Sequence, residues 1–134
     1  MAAMERREES RAGSEEPAEF PLAVRRAEYA ALLRDSLQQI VDRLAALEEV
    51  ERVSLFGSYA RGRADLLTDL DILVVMRTDR AFVDRLGWLY GRLAVPVDLD
   101  LLCYTPEEFA VMRDRPFFRR ILQDEVVLYE KKRA

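Results

Sequence analysis

The sequence predicts a small α/β or α+β domain, in which a mixed sheet of three to four strands is flanked by helices. Two observations predict this class. Short runs of aliphatic and β-branched residues alternate along the chain with longer segments in which apolar residues recur every three or four positions. The chain has 134 residues, of which 50% are apolar and 34% charged, the size and composition of one globular domain.

The N-terminal half is predicted to contain one long helix and two strands. Residues 1–19 are polar and charged and predict a disordered tail, which leaves residues 20–134 as a single domain. Residues 22–49 show an apolar stripe at helical spacing with no Gly or Pro. Residues 52–56 (RVSLF) predict a strand. Residues 70–76 (LDILVVM) predict a second strand, and their nearly continuous apolar run indicates burial on both faces.

Helices and strands then alternate to the end of the chain. Residues 79–93 have helical spacing, with Asp79 as a predicted N-cap, and residues 97–104 (VDLDLLCY) predict a third strand. Thr105-Pro-Glu-Glu108 has the residues of a capping box at a helix start. Residues 117–122 continue helically, with Pro116 either ending that helix or opening another. Residues 126–129 predict a short last strand.

Composition excludes several classes of function. The chain contains no His, which excludes a Ser-His-Asp triad and any His-ligated zinc site. One Cys, Cys103, permits no intramolecular disulfide and predicts an inert core thiol. The net charge of −4 disfavours tight non-specific nucleic-acid binding. No apolar run is long enough to span a membrane or serve as a signal peptide, so the expected location is the cytoplasm.

The segment after the first predicted strand is the most informative for function. Gly57 permits unusual backbone angles and close approach of another group, and Ser58 offers a hydroxyl and an amide that suit phosphate oxygens. Asp69 and Asp71 stand two apart at the start of an apolar strand, so both carboxylates emerge on one face. Adjacent carboxylates repel unless a cation lies between them, and oxygen ligands suit Mg²⁺.

A second Asp-x-Asp pair supplies candidates for a third carboxylate. Asp98 and Asp100 share a face of the third predicted strand. If that strand pairs beside the strand that begins at Asp71, one of them completes a three-carboxylate cluster. Such a cluster can hold two Mg²⁺ ions that bridge a nucleotide's phosphates.

The run GSYARGRADLLTDLDILV, residues 57–74, resembles the signature of the nucleotidyltransferase superfamily that includes DNA polymerase beta. With Ala60-Arg61-Gly62 and the short chain, it is most similar to the minimal nucleotidyltransferases of bacteria and archaea. Many of these are paired with HEPN-domain proteins in toxin–antitoxin modules. The resemblance covers residues 52–108.

The resemblance implies a role for each matching residue. Gly57 and Ser58 match the pair that holds the nucleotide's phosphates, with Arg61 as a further nucleotide contact. Asp69 and Asp71 match the catalytic, metal-binding carboxylates. The run DLLCYTPEEF favours Asp100 as the third, with Asp98 in reserve. Thr68 stands where the family usually has Ser.

The sequence leaves two roles open for Arg63, which could contact a phosphate or could be a cation that balances local acidity.

The implied activity is Mg²⁺-dependent transfer of a nucleoside monophosphate, AMP from ATP, to a hydroxyl. The implied acceptor is a tyrosine of a HEPN toxin, which makes the chain an antitoxin. Asp100 is the candidate to assist deprotonation of the acceptor. Two alternatives stay open. One is a non-catalytic module that neutralises a toxin by binding. The other is transfer to a small molecule such as an aminoglycoside, ranked lower because only about 30 residues follow the third strand.

Three further features are weaker. Trp88 is expected to pack, while exposed aromatic residues on its helix, such as Tyr90, could meet a partner. Nothing requires a homodimer, although the long helix could support one. A basic cluster near Phe117 and Phe118 is read either as a solvated helix face or as a contact surface for an acidic or RNA-bearing partner; its members are Arg113, Arg115, Arg119 and Arg120.

Overall fold

The computed structural model describes residues 21–132, so the predicted tail over residues 1–19 lies outside the described residues. Four strands form one mixed sheet. They are β1 (Val50–Phe56), β2 (Leu70–Met76), β3 (Leu99–Tyr104) and β4 (Val126–Glu130). The sheet order is β3-β2-β1-β4, in which β1 is antiparallel to β2 and β4, and β2 is parallel to β3. The predicted mixed sheet of three to four strands is therefore confirmed.

Five helices connect or flank the strands in the described part of the chain. They are α1 (Leu22–Ala45), α2 (Gly57–Ala60), α3 (Phe82–Tyr90), α4 (Pro106–Met112) and α5 (Pro116–Leu122). Helix α1 is long enough to cross a bilayer, but neither it nor any other helix within residues 21–132 is both long and apolar enough to do so.

Strand β2 is the centre of the core, as its apolar run predicts. Its side chains alternate between the two sheet faces, so both faces need cover. Ile72 and Val74 belong to the cluster that includes side chains of α1 and α3. Leu73 and Val75 pack with Phe109 of α4 and Phe118 of α5 on the other face. Two helical layers therefore hold the sheet, and the start of β2 is fixed from both sides.

The predicted helix over residues 79–93 is shorter in the structure, and its predicted cap is wrong. Helix α3 begins after Ala81, which makes no side-chain cap. Asp79 lies two residues before this N-cap position, beside Arg80, whose amide donates to the Thr78 hydroxyl at 3.1 Å. The predicted capping box of α4 is confirmed. The Glu108 amide donates to the Thr105 hydroxyl, and the Thr105 amide donates to the Glu108 carboxylate.

Two ion pairs, each with an arginine largely withdrawn from solvent, fasten the helical layer formed by α4 and α5. Arg52 of β1 donates two hydrogen bonds to Glu125, at 2.6 and 3.0 Å, and these side chains are only 14% and 11% exposed. Arg85 of α3 is also buried, and it donates to both oxygens of Glu108 at 2.7 and 3.2 Å. Such paired charges stabilise only when their hydrogen bonds are made, as they are here.

Candidate active site

The turn after β1 brings the chain backbone against a site carboxylate. Gly57 has a φ of +78°, a conformation that side chains of L-residues disfavour. A Cβ atom at this position would lie 2.1 Å from Oδ2 of Asp71. The close approach follows from the strand pairing, in which Phe56 faces Asp71. Glycine is therefore required at position 57 for both backbone angle and space.

The two carboxylates of the first Asp-x-Asp pair are held by a well-bonded loop. Thr68, immediately before Asp69, is fully buried. Its hydroxyl donates to Asp65 Oδ1 at 3.1 Å and accepts from the Asp65 amide at 3.0 Å. The Thr68 hydroxyl thus stabilises the conformation of the loop by its two hydrogen bonds with Asp65. It lets the chain enter β2 with Asp69 and Asp71 in a fixed register.

Strand β3 places one of the two remaining candidates directly beside Asp71. In the parallel β2–β3 pairing, Asp71 faces Asp100. Asp98 lies before β3 begins, and its backbone carbonyl accepts a hydrogen bond from the Leu70 amide at 3.0 Å. The geometry brings Asp69, Asp71 and Asp100 to one corner of the sheet. It favours Asp100 over Asp98 as the third carboxylate, and the metal-binding role of each stays a prediction.

The pKa of Asp71 shows that the corner carries unbalanced negative charge. Burial raises it, and the charges of Asp100 and Asp69 and a hydrogen bond with Asp100 raise it further, to about 6. Arg61 lowers it by a smaller amount. Within residues 21–132 no three acidic or Cys side chains already converge into a cation cage. The oxygen-only donor set still fits a hard divalent cation, which would relieve the repulsion between Asp71 and Asp100.

The two arginines of the turn differ in how firmly they are held. Arg63 donates from Nε to Asp65 at 2.7 Å, and this bond, more than any other contact, lowers the pKa of Asp65 to about 2. Arg61 has only a long ion pair, 3.8 Å to Asp124, and its side chain is 57% exposed. Arg61 is therefore less firmly held than Arg63, and its contact with a nucleotide stays a prediction. The bond to Asp65 favours the interpretation of Arg63 as a cation that balances local acidity.

Two tyrosine hydroxyls near the carboxylates have contacts that the sequence pattern does not indicate. Tyr29 of α1 donates to the Thr68 carbonyl at 3.0 Å. Burial raises the pKa of Tyr29, and the charges of Asp98 and Asp69 raise it further. Tyr90 of α3, expected only as an exposed aromatic, donates to the Leu99 carbonyl at 3.0 Å. No spacing rule signals such contacts, because each joins a helix side chain to the backbone of another element.

The remaining candidates lie away from this corner or in the core. Cys103 is fully buried, and burial raises its pKa to about 11, as expected for an inert thiol. Trp88 lies between the guanidinium groups of Arg80 and Arg92, 4.5 and 3.8 Å from its ring centre. Near the exposed basic cluster, Phe118 is buried while Phe117 is 68% exposed.

Comparison with known proteins agrees with this geometry. The sequence profile of the nucleotidyltransferase domain family matches residues 37–133. A protein assigned as a nucleotidyltransferase from Sulfolobus solfataricus shares the fold, with a TM-score of 0.50 at 20% identity over 84% of this chain and 90% of that chain. The toxin–antitoxin MntA-HpeT, solved as a mutant, gives a TM-score of 0.47 at 19% identity over 74% of this chain and 72% of that chain.

No curated protein sequence matches the chain. The family profile nevertheless covers most of the chain, and its span includes the Gly-Ser turn, both Asp-x-Asp pairs and all four strands. The chain belongs to the nucleotidyltransferase domain family.

Proposed function

We propose that this protein transfers a nucleoside monophosphate, AMP from ATP, to a hydroxyl group with the help of divalent Mg²⁺. The acceptor that we propose is a tyrosine of a HEPN-domain toxin, so that the protein acts as an antitoxin. One observation carries the catalytic part of the proposal. Asp71 lies directly beside Asp100 across the parallel strand pair, with Gly57 packed against the Asp71 carboxylate.

The three carboxylates are the proposed metal ligands. Asp69, Asp71 and Asp100 present only oxygen atoms. The pKa of Asp71 is raised first by burial and then by the charges of Asp100 and Asp69, and a bound cation would offset that repulsion. When bound, two Mg²⁺ ions would activate the attacking hydroxyl and neutralise charge on the departing pyrophosphate. The glycine at position 57 keeps the space above Asp71 free of any side chain.

The other residues would bind and orient the nucleotide. Gly57 and Ser58 offer backbone amides and a hydroxyl to the phosphates, and the weakly paired Arg61 supplies positive charge. The acceptor oxygen forms a bond to the α-phosphorus while the bond from that phosphorus to pyrophosphate breaks. Asp100, exposed at the outer strand of the sheet, would receive the acceptor's proton.

The protein acceptor is proposed from the resemblance to minimal nucleotidyltransferases. The position of the carboxylates is compatible with it. Asp100 lies on the outer strand β3 and is exposed, so a side chain presented by another protein could reach it. A macromolecular acceptor needs such access, whereas a deeply enclosed pocket would admit only a small molecule.

A label-transfer assay tests the proposal. The purified full chain is incubated with Mg²⁺ and α-labelled ATP, with and without lysate of the source cells, beside the matched variants Asp71→Asn and Asp69→Asn. We expect label on a protein band with the wild type and none with either variant. Mass spectrometry of that band identifies the modified residue, which should be a tyrosine carrying AMP.

Three outcomes would contradict parts of the proposal. Wild-type levels of transfer by Asp71→Asn would overturn the assignment of the site. Label that appears only in the small-molecule fraction would overturn the protein acceptor and leave nucleotidyl transfer standing. Neutralisation of a HEPN toxin by Asp69→Asn, with no gain in toxin mass, would replace catalysis with steric binding.

A further inference from the structure

We infer that Tyr29 and Tyr90 are positioning residues that hold the backbone on either side of the site carboxylates. This inference rests on the proposed metal-dependent function. Neither hydroxyl is assigned to the nucleotide or the acceptor. Each acts through the backbone of the residues next to Asp69 or Asp100.

Tyr90 occupies the free edge of β3. Because β3 is the outer strand of the sheet that residues 21–132 form, Leu99 and Leu101 have no neighbouring strand on that side in this part of the chain. The Tyr90 hydroxyl donates to the Leu99 carbonyl at 3.0 Å and accepts from the Leu101 amide at 3.0 Å. One side chain thus satisfies the two backbone groups that flank Asp100, in the place where a further strand would otherwise pair.

These two bonds fix the position of Asp100 relative to Asp71. On the inner side, β3 is held by its parallel pairing with β2, in which Asp71 faces Asp100. On the outer side, the backbone on both sides of Asp100 is held by Tyr90. Without the hydroxyl, the outer carbonyl and amide would bond to water, and the pairing with β2 alone would hold the backbone around Asp100.

Tyr29 makes the corresponding contact at the start of β2. Its hydroxyl donates to the carbonyl of Thr68, which is bonded to Asp69 by the next peptide link. The side chain of Thr68 is already tied to Asp65. With the carbonyl held as well, the residue before Asp69 has both its side chain and its backbone fixed.

The location of these contacts distinguishes them from general packing. The chain contains five tyrosines. Within residues 21–132, the two whose hydroxyls donate to backbone carbonyls, Tyr29 and Tyr90, both do so beside a site carboxylate. They come from α1 and α3, the two helices that pack on the same face of the sheet. Groups that orient metal ligands in this way commonly change metal affinity or activity when they are removed.

The test removes each hydroxyl while keeping the ring. The variants are Tyr29→Phe, Tyr90→Phe and the double variant. The matched control is Tyr129→Phe, because Tyr129 packs against the same core and its hydroxyl makes no hydrogen bond in the described part of the chain. Mn²⁺ affinity is measured from the free-ion signal in electron paramagnetic resonance, with full-length protein and a non-hydrolysable ATP analogue. Thermal melting and steady-state kinetics are measured in parallel.

We expect Tyr90→Phe to weaken Mn²⁺ binding about tenfold and to raise the Mg²⁺ concentration for half-maximal activity by a similar factor. Tyr29→Phe should act in the same direction, and the Michaelis constant for ATP at saturating Mg²⁺ should stay within about twofold, because the phosphate contacts are intact. Tyr129→Phe should match the wild type in every measurement.

The outcomes separate this inference from the proposed function. A lowered melting temperature with unchanged Mn²⁺ affinity in both single variants would show that the hydroxyls only stabilise the fold, and would overturn the inference. If Asp71→Asn abolishes Mn²⁺ binding while both tyrosine variants bind normally, the metal site stands and the inference falls. If the wild type binds no Mn²⁺, both fall.

Discussion

Glu125 and Asp71 are both acidic side chains partly withdrawn from solvent, yet their pKa values move in opposite directions. Burial raises the pKa of Glu125, but two hydrogen bonds from Arg52 and its charge outweigh that effect, and the net shift is downward. Burial also raises the pKa of Asp71, and its acidic neighbours raise it further, to about 6. Both residues lie near the start of a strand of the same sheet, Asp71 as the second residue of β2 and Glu125 immediately before β4.

The contrast separates charges that stabilise the fold from charges that we propose take part in catalysis. In the two ion pairs that join layers of the fold, Arg52–Glu125 and Arg85–Glu108, an arginine donates two hydrogen bonds to the carboxylate. At the corner formed by Asp69, Asp71 and Asp100, the protein places like charges together and leaves Arg61 mostly unengaged. Such unbalanced clusters are typical of functional sites, where a ligand completes the charge balance.

The largest expected effect comes from Asp71→Asn. The change removes a proposed metal ligand and one of the repelling charges. Transfer activity should fall about a thousandfold, equivalent to about 4 kcal/mol of transition-state stabilisation. The melting temperature without divalent metal should stay the same or rise, because repulsion with Asp100 is relieved. Calorimetry and label transfer measure the two effects, and a large loss of stability would contradict the contrast with Glu125.

Gly57→Ala tests the space around Asp71. An added Cβ would meet Asp71 Oδ2 at 2.1 Å and would also strain a backbone with φ of +78°. Displacing the carboxylate should lower activity about a hundredfold. Gly62→Ala is the matched control, because Gly62 has a φ of +97° but no atom within 4 Å of the added Cβ.

We therefore expect both glycine variants to lose stability, by about 1–2 kcal/mol from backbone strain alone. Only Gly57→Ala should lose most of its activity per folded molecule. Equal activity in the two variants would mean that the contact with Asp71 has no functional consequence.

Glu125→Gln tests whether the Arg52–Glu125 ion pair stabilises the fold. Removal of one partner leaves the buried Arg52 charge without its bidentate carboxylate, so the free energy of unfolding should drop by about 3 kcal/mol. Activity per folded molecule should not change. Denaturant titration provides the measurement. As a control, Arg52→Met combined with Glu125→Leu should restore most of the loss, since an apolar pair of similar volume replaces the ions.

Arg61→Gln is expected to have a smaller effect, confined to nucleotide binding. Loss of one charge-assisted contact to a phosphate should raise the Michaelis constant for ATP about tenfold. Arg63→Gln is the matched control, because Arg63 is already bonded to Asp65. Its variant should leave that constant nearly unchanged. A larger rise in the Michaelis constant with Arg63→Gln than with Arg61→Gln would mean that Arg63, and not Arg61, contacts the phosphate.

The smallest effect is a pH dependence of stability. The folded-state pKa of Glu125 lies below its ordinary value of 4.5. Its ionised form therefore stabilises the fold above pH 4.5, and this contribution is lost as the pH falls through the lowered folded-state pKa. Stability of Glu125→Gln should decline less steeply than that of the wild type over this acidic range. If urea titrations show that the free energy of unfolding falls equally with pH in the wild type and in Glu125→Gln, the ionised Glu125 does not stabilise the fold through Arg52.

The sequence predicts the candidate site residues better than it predicts the contacts that hold them in place. The alternation of Asp69 and Asp71, and the apolar run that follows them, place the first two carboxylates because strand periodicity is a local property. The preference for Asp100 over Asp98 comes from the β2–β3 register, which depends on pairing between segments about 30 residues apart. Gly57 is recognisable as a special position, but its contact with Asp71 is not.

Buried polar contacts between distant elements are what the sequence does not reveal. Arg85 lies in α3, where an arginine would be expected on the solvent face, yet it is 7% exposed and bonded to Glu108. Arg52 sits in an apolar strand whose pattern gives no sign of Glu125. The Tyr29 hydroxyl makes a partly buried contact with the Thr68 backbone that the sequence does not reveal either. Each such contact depends on how two layers meet, and periodicity describes only one element at a time.

The pairing of Arg52 with Glu125 also has a consequence for the order in which the protein acquires its structure during synthesis. The two residues are 73 positions apart, and Glu125 precedes the last strand, β4. At ordinary translation rates of 5–20 residues per second, Arg52 is made about 4–15 s before its partner. Asp69, Asp71 and Asp100 are all synthesised within that interval, so the nascent chain carries the proposed catalytic residues before this ion pair can form.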